Sequence, residues 1–227
     1  MKKIAIVGGS KGIGNAIIHQ LLETHEIVNI SRSAPEISHP NLTHYECDVL
    51  VDDLPEMEHL DGLVYCPGSI NLKPINRLSI EDFRSDFEIN VLGAVKCIQF
   101  YLKALKNGNQ PSIVLFSTVA SKLGMPFHAS IATAKSGVEG LVRSLGAELA
   151  PTIRINAIAP TVTDTSLAEK ILRNDAMREK MVERHPLKKY LNPDDVAYMA
   201  EFLLSKKSNS MSGQVFELDC GIVSIKN

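Results

Sequence analysis

Short runs of uninterrupted apolar residues alternate along the chain with longer stretches in which apolar positions recur every three or four residues. The short runs are Ile4–Val7, Ile27–Ile30, Leu63–Cys66, Ile113–Ser117, Ile153–Ala159 and Val215–Leu218. They are rich in Ile and Val without polar alternation, as strands covered on both faces are. Leu42–Glu46 predicts one more strand. Between them, Val138, Leu141, Val142, Leu145 and Leu149 form one helical stripe, and Val196, Met199, Ala200 and Leu203 form another. The second stripe follows Asn192, suited to an N-cap, and Pro193, suited to a first helical position. Ser79 followed by Asp82 predicts a capping box at the start of another helix. This alternation predicts an α/β fold: a doubly wound parallel sheet of about seven strands with helices on both faces.

No repeat, low-complexity tract or Pro/Gly/Ser linker interrupts the pattern, so residues 1–227 read as a single domain. Thr165–Tyr190 is the most polar and least regular stretch and is expected to form a lid over a site, with Arg173–Lys189 as a solvated lid helix. Composition is that of an ordinary globular protein, with 44% hydrophobic and 22% charged residues. A formal charge of -2 and a pI near 6.4 argue against nucleic acid or an anionic membrane surface as partner and exclude no small-molecule substrate. Cys47, Cys66, Cys97 and Cys220 lack any metal-ligand spacing and read as buried free thiols. The histidines show no metal-site spacing either. The first apolar run ends after four residues at Gly8, too short for a signal peptide, and no run is long enough to span a bilayer; a cytoplasmic location is expected.

Candidate chemistry begins with Gly8-Gly9-Ser10-Lys11-Gly12-Ile13-Gly14, placed between the first strand and the first helix. Glycines there let the backbone turn tightly and approach a pyrophosphate, whose charge the amides and the helix N-terminus meet. The position makes this a Rossmann dinucleotide loop. An NAD-binding site usually carries an acidic residue at the end of the second strand, yet the chain reads Ile30-Ser31-Arg32-Ser33. Arg32 suits a 2′-phosphate, with Lys11 adding a second positive charge, so NADP(H) is the expected cofactor.

With these residues in view the chain resembles the short-chain dehydrogenase/reductases, from the first strand to the C-terminus. The family's TGxxxGxG loop reads as Val7 to Gly14, with Val7 in place of the threonine. The resemblance implies cofactor contacts at Gly8, Ser10, Lys11, Gly12, Ile13, Gly14, Ser31 and Arg32. The adenine-contacting aspartate matches Asp48, followed by Val49. The NNAG turn is altered to Tyr65-Cys66-Pro67-Gly68, leaving Pro67 and Gly68 as contacts. The structural asparagine matches Asn90. The NAxxPG segment reads Asn156-Ala157-Ile158-Ala159-Pro160-Thr161, which places Pro160, Thr161, Thr163 and Thr165 at the cofactor. Gly213 to Gly221 is close to the family's GQxxxxDGG ending. Relatives are usually dimers or tetramers, so a homodimer or homotetramer acting on a small-molecule substrate is implied.

The departure lies in the catalytic set. The YxxxK lysine is Lys135, in the Ala134-Lys135 and Gly137 context, and the tyrosine position is Ile131. The serine position, 13 residues before it, is Thr118, with Ser117 beside it. In the family the tyrosine hydroxyl protonates the carbonyl oxygen as hydride arrives, the lysine lowers its pKa and holds the ribose, and the serine orients the carbonyl. Threonine keeps that hydroxyl; isoleucine has no proton to give. His128, three residues before Ile131 and seven before Lys135, is the first candidate for a substitute acid, and Tyr65 the second. The implied catalytic set is Lys135, Thr118, Asn90 and His128. The expected function is an NADP(H)-dependent oxidoreductase acting on a small carbonyl or activated double bond with an atypical proton donor. An NADP(H)-binding protein without turnover stands beside it, and nothing positive supports a non-redox reaction. Met125 and Phe127 are candidate substrate-pocket residues.

Overall fold

The computed structural model describes residues 1–225. Seven strands form one sheet: β1 (Lys2–Val7), β2 (His25–Ser31), β3 (Leu42–Glu46), β4 (Gly62–Tyr65), β5 (Ser112–Phe116), β6 (Arg154–Pro160) and β7 (Val215–Leu218). Their order is β3-β2-β1-β4-β5-β6-β7 and every pairing is parallel. The order in which strands are added reverses between β1 and β4, and this switch point opens a crevice at their carboxyl ends.

All seven expected strands form, with ends that differ by a residue or two. β1 and β2 run further toward their N-termini because Lys2 pairs with His25 and Lys3 with Glu26 through backbone groups that are indifferent to side-chain polarity. β4 stops at Tyr65 and β5 at Phe116, so Cys66 and Ser117 belong to the loops that shape the site.

Alternation along β1 explains the two cores. Ile4 and Ile6 face α1 (Gly12–Leu21) and α6 (Pro193–Leu204), while Ala5 and Val7 face α3 (Gly93–Lys106) and α4 (Ala129–Leu149). Both faces of the sheet are therefore covered, as its continuous apolar strands require. In α4 Val138, Val142 and Leu149 are buried and Leu141 and Leu145 pack at the margin. Asn192 and Asp195 form a capping box at α6, with Pro193 at its first position, and Ser79 and Asp82 form another at α2 (Ile80–Phe87). One π-helical turn, Glu88–Leu92, joins α2 to α3. α5 (Asp175–Arg184) buries no residue, as its charged sequence predicts. All four cysteines are free. Among the described residues no helix is long and apolar enough to cross a membrane, and no cluster of His, Cys, Asp and Glu is placed to hold a metal.

Candidate active site

β1 delivers the chain to the crevice at Val7, and the glycine loop turns it into α1. Gly8 takes φ +77° and Gly12 φ +54°, a region that penalises any side chain. Gly14 serves another need: a Cβ there would stand 2.3 Å from the Gly8 carbonyl oxygen, so only glycine lets α1 pack on the loop. The loop is further pinned by Asn29, fully buried in β2, whose Oδ1 accepts from Gly9 N at 3.0 Å. Lys11 is the N-cap but does not cap with its side chain, so the first-turn amides of α1 stay available to an anion.

A groove of about 370 Å³ runs across this end of the sheet. Gly8, Ser10, Lys11, Gly12, Ile13 and Gly14 line one wall, Ser31 and Arg32 the end of β2, Asp48 and Val49 the far end, and Pro67, Gly68 and Thr165 the inner end. Arg32 is exposed and, among the described residues, has no ion pair. Ser31 accepts from Asn29 Nδ2 and donates to Ser33 O, both at 2.9 Å, which sets the loop carrying Arg32. Backbone amides for a pyrophosphate, the cationic side chains of Lys11 on the loop and Arg32 after β2, and apolar walls at Val49 and Ile13 suit a dinucleotide.

The groove opens into a second cavity of about 280 Å³, sharing Ile13, Cys66, Gly68, Thr165 and Leu167 with it. Lys135, Thr118, His128, Ile131, Pro160, Thr161 and Thr163 all line this cavity. Lys135 is buried and its Nζ donates to Phe116 O at 2.9 Å. Burial pulls its ammonium down from 10.5 to about 8, against the opposing pull of Cys66 and Asp86. Thr118 Oγ1 accepts from Ala120 N at 3.3 Å, leaving its hydrogen for the cavity. Ile131 is 4% exposed and fills the tyrosine position with hydrocarbon. His128 is the N-cap of α4; its Nδ1 lies 2.7 Å from Pro126 O and donates to it, so Nε2 is left at the cavity mouth.

Asn90 does not line either cavity. The π turn aims it inward behind Gly68, where Nδ2 donates to Asp86 O at 2.7 Å and to Ser69 Oγ at 2.9 Å. Its Oδ1 is a buried acceptor with no partner. A Cβ on Gly68 would stand 3.2 Å from Asn90 Oδ1 and 3.5 Å from Lys135 Nζ, so both groups converge on the strip of backbone between groove and cavity.

Two candidates from the sequence are corrected here. Tyr65 faces the opposite way: it is buried against Gly93, its hydroxyl donates to Ile89 O at 2.7 Å, and desolvation pushes its ionisation far up. It has no access to the cavity and is no proton donor. Phe127 turns outward with φ +69° and is 57% exposed, whereas Met125 does line the cavity. The segment expected as a lid lies over the cavity, contributing Leu167, Ala168 and Ile171 and then Met181 and Arg184 from α5. His185, fully buried, donates from Nδ1 to Met181 O at 2.6 Å and accepts from Thr161 Oγ1 at 2.7 Å, tying the lid to the cavity floor.

Sequence reasoning missed Asn29, Ser69, Asp86, Ser130 and His185. No motif carries them; only Ser69, next to Gly68 in the altered NNAG turn, stood close enough to a recognised segment to be found.

The sequence model of the family described as Enoyl-(Acyl carrier protein) reductase matches residues 42–223. The 2,5-dichloro-2,5-cyclohexadiene-1,4-diol dehydrogenase of Sphingobium indicum is 28% identical over 245 aligned positions, covering 99% of this chain and 98% of the relative. The 3-oxoacyl-acyl-carrier-protein reductase of Rickettsia bellii is 29% identical over 236 positions, covering 97% and 96%. Among solved structures, ElxO with NADP bound superposes with a TM-score of 0.87 at 25% identity, covering 99% of this chain and all of that one.

Proposed function

Because the chain belongs to the short-chain dehydrogenase/reductase family, we propose that it is an NADP(H)-dependent oxidoreductase that moves hydride between the nicotinamide and a small carbonyl, alcohol or activated double bond, with a proton donor other than tyrosine. The observation that carries this reading is the junction at Gly68: the dinucleotide groove and the apolar cavity meet there, with the Lys135 ammonium and Thr118 on the cavity side. NADP bound to ElxO, a structural neighbour, supports the choice of dinucleotide, as do the missing carboxylate at the end of β2 and the exposed Arg32.

In this reading the loop amides and the N-terminus of α1 hold the pyrophosphate, Arg32 and Lys11 the 2′-phosphate, and Asp48 and Val49 the adenine end. Pro160, Thr161, Thr163 and Thr165 border the nicotinamide end, and the cofactor supplies or accepts the hydride. Lys135, positive below about pH 8, holds the ribose hydroxyls and stabilises negative charge at the reacting oxygen. Thr118 donates to that oxygen, and His128 Nε2 binds the substrate at the mouth. A homodimer or homotetramer is part of the proposal, checked by sedimentation. The second reading, cofactor binding without turnover, rests on Ile131 alone.

The test is titration with NADPH and with NADH, followed by nicotinamide fluorescence. NADPH is expected to bind at least tenfold more tightly, and Arg32→Ala to remove that preference by weakening NADPH about tenfold, since one charge-assisted contact is worth about 1.5 kcal/mol. Failure to bind either nucleotide overturns the oxidoreductase reading and the binding-only reading together.

A further inference from the structure

The cavity that Thr118 lines carries a further hydroxyl that no motif announces. Ser69 lines the same cavity as Lys135 and Ile131. Its Oγ accepts from Asn90 Nδ2 at 2.9 Å and donates to Asp86 Oδ1 at 2.5 Å. A serine hydroxyl has one hydrogen and two lone pairs, so one lone pair is left over for whatever occupies the cavity. Behind Ser69, Asp86 is 1% exposed, and its Oδ2 accepts from Ser130 Oγ at 2.6 Å. Both contacts have the length of charge-assisted hydrogen bonds to a carboxylate. Asp86 has no ion-pair partner in contact among the described residues; the cation that feels it is Lys135. A buried carboxylate without a direct countercharge is costly. Its two hydroxyl partners come from different elements, the loop after β4 and the second residue of α4. The second of these, Ser130, immediately precedes the position where the family's tyrosine is missing.

We propose that Ser69 is the catalytic hydroxyl that replaces the missing tyrosine, and that Asp86 is its proton partner, held in place by Ser130 and Asn90. The proposal rests on the hydride-transfer reading above. When a substrate alcohol is oxidised, its hydroxyl donates to the free lone pair of Ser69. As the carbinol C–H bond breaks and its hydride reduces the oxidised nicotinamide, the O–H proton passes to Ser69 Oγ. The proton of Ser69 passes to Asp86 Oδ1, and the substrate leaves as a carbonyl. The carboxylate has then become a carboxylic acid, and its proton returns through Ser69 to water once the product has left. Reduction is the same sequence reversed: Asp86 protonates Ser69 as Ser69 protonates the carbonyl oxygen. This arrangement needs no side chain at position 131. It places the proton path on the α2 side of the cavity, whereas His128 stands at the mouth.

Four proteins test this: wild type, Ser69→Ala, Ser69→Thr and Asp86→Asn. Each is titrated with NADPH, assayed with NADP(H) on a panel of aliphatic, cyclic and sugar alcohols and the matching ketones, and labelled at lysine Cε with ¹³C to follow Lys135 by NMR. NADPH binding is expected to be unchanged in all four. Ser69→Ala is expected to lower kcat at least about 100-fold with KM nearly unchanged, the signature of a lost acid–base group, and Ser69→Thr to restore most of it. Asp86→Asn is expected to lower kcat similarly and to move the Lys135 midpoint below about 8, because the carboxylate that raises it is gone. Full kcat in Ser69→Ala overturns the relay, as does an unmoved Lys135 midpoint in Asp86→Asn. A wild type that binds NADPH yet turns over nothing on the panel also overturns it. A wild type that binds neither nucleotide overturns the function proposed above instead, and the Lys135 midpoint then still decides whether Asp86 is an ionised neighbour. Should Asp86→Asn fail to fold, the two Ser69 variants decide the question.

Discussion

The two halves of the crevice are built by different means. The dinucleotide groove is made mostly of backbone: positive-φ glycines, the amides of the first turn of α1, and strand ends in register. Its demands are stereochemical and local, so few residues satisfy them and the glycines of the loop all stand in place. The cavity beyond Gly68 is made of side chains drawn from the loops after β4, β5 and β6 and from α4 and α5. A hydroxyl can be supplied there from several directions, and at position 131 the buried Ile131 completes the cavity wall without one. The half of the site that uses backbone tolerates little change, whereas the half that uses side chains can be rewired.

Breaking the groove should produce the largest effect. Gly14→Val puts a side chain 2.3 Å from the Gly8 carbonyl oxygen. Prying α1 from the loop at a cost of about 3 kcal/mol or more would weaken NADPH at least about 100-fold by titration, with the fold retained by circular dichroism.

The cavity, by contrast, is built against stability, and Lys135→Met measures how far. Lys135 has its pKa lowered from 10.5 to about 8 by burial. Between those values the unfolded chain holds a proton that the folded one has released, so stability rises with pH across the window; below about 8 the burial cost is present in full. Urea denaturation should find Lys135→Met more stable than wild type at pH 7 by about 3 kcal/mol at most, with the gap closing as the pH approaches 10. A constant gap would mean that Lys135 is not desolvated.

Ile131→Tyr sharpens the comparison from the other side, since Ile131 already lines the cavity together with Thr118 and Lys135. Restoring a phenol there should raise carbonyl reduction about 30-fold, and in that background Ser69→Ala should cost little, because the two hydroxyls serve the same oxygen. The smallest effect is expected at the mouth. His128→Ala, which removes a ring hydrogen-bonded to Pro126 O, should raise KM about fivefold with kcat little changed, as the loss of a binding contact does. A fall in kcat of about 100-fold would make His128 the proton donor in place of Ser69.

Much of this molecule was written locally. The strands were legible because both faces of the sheet are covered and their apolar runs are continuous, and the capping boxes at Ser79 and Asn192 because a cap is satisfied within three residues. The glycine loop was legible because a tight turn into a helix limits which residue types can stand there. Tyr65 misled for a related reason: its position at the strand end was correct, but strand alternation turns it toward α3, and a short sequence window does not show which face of the sheet becomes the site. Most of the proposed proton machinery lay beyond that reach. Ser69 and Asp86 are 17 positions apart, Asp86 and Ser130 are 44 apart, and none of the three sits in a recognisable motif. What the sequence determined by itself was the fold class, the glycine loop that lines the groove and the isoleucine at position 131, because each depends on near neighbours along the chain. Only the tertiary structure decided which other hydroxyl faces the cavity, because that depends on packing α2 against α4 and on the π turn that carries Asn90 inward, contacts between elements that no local pattern encodes.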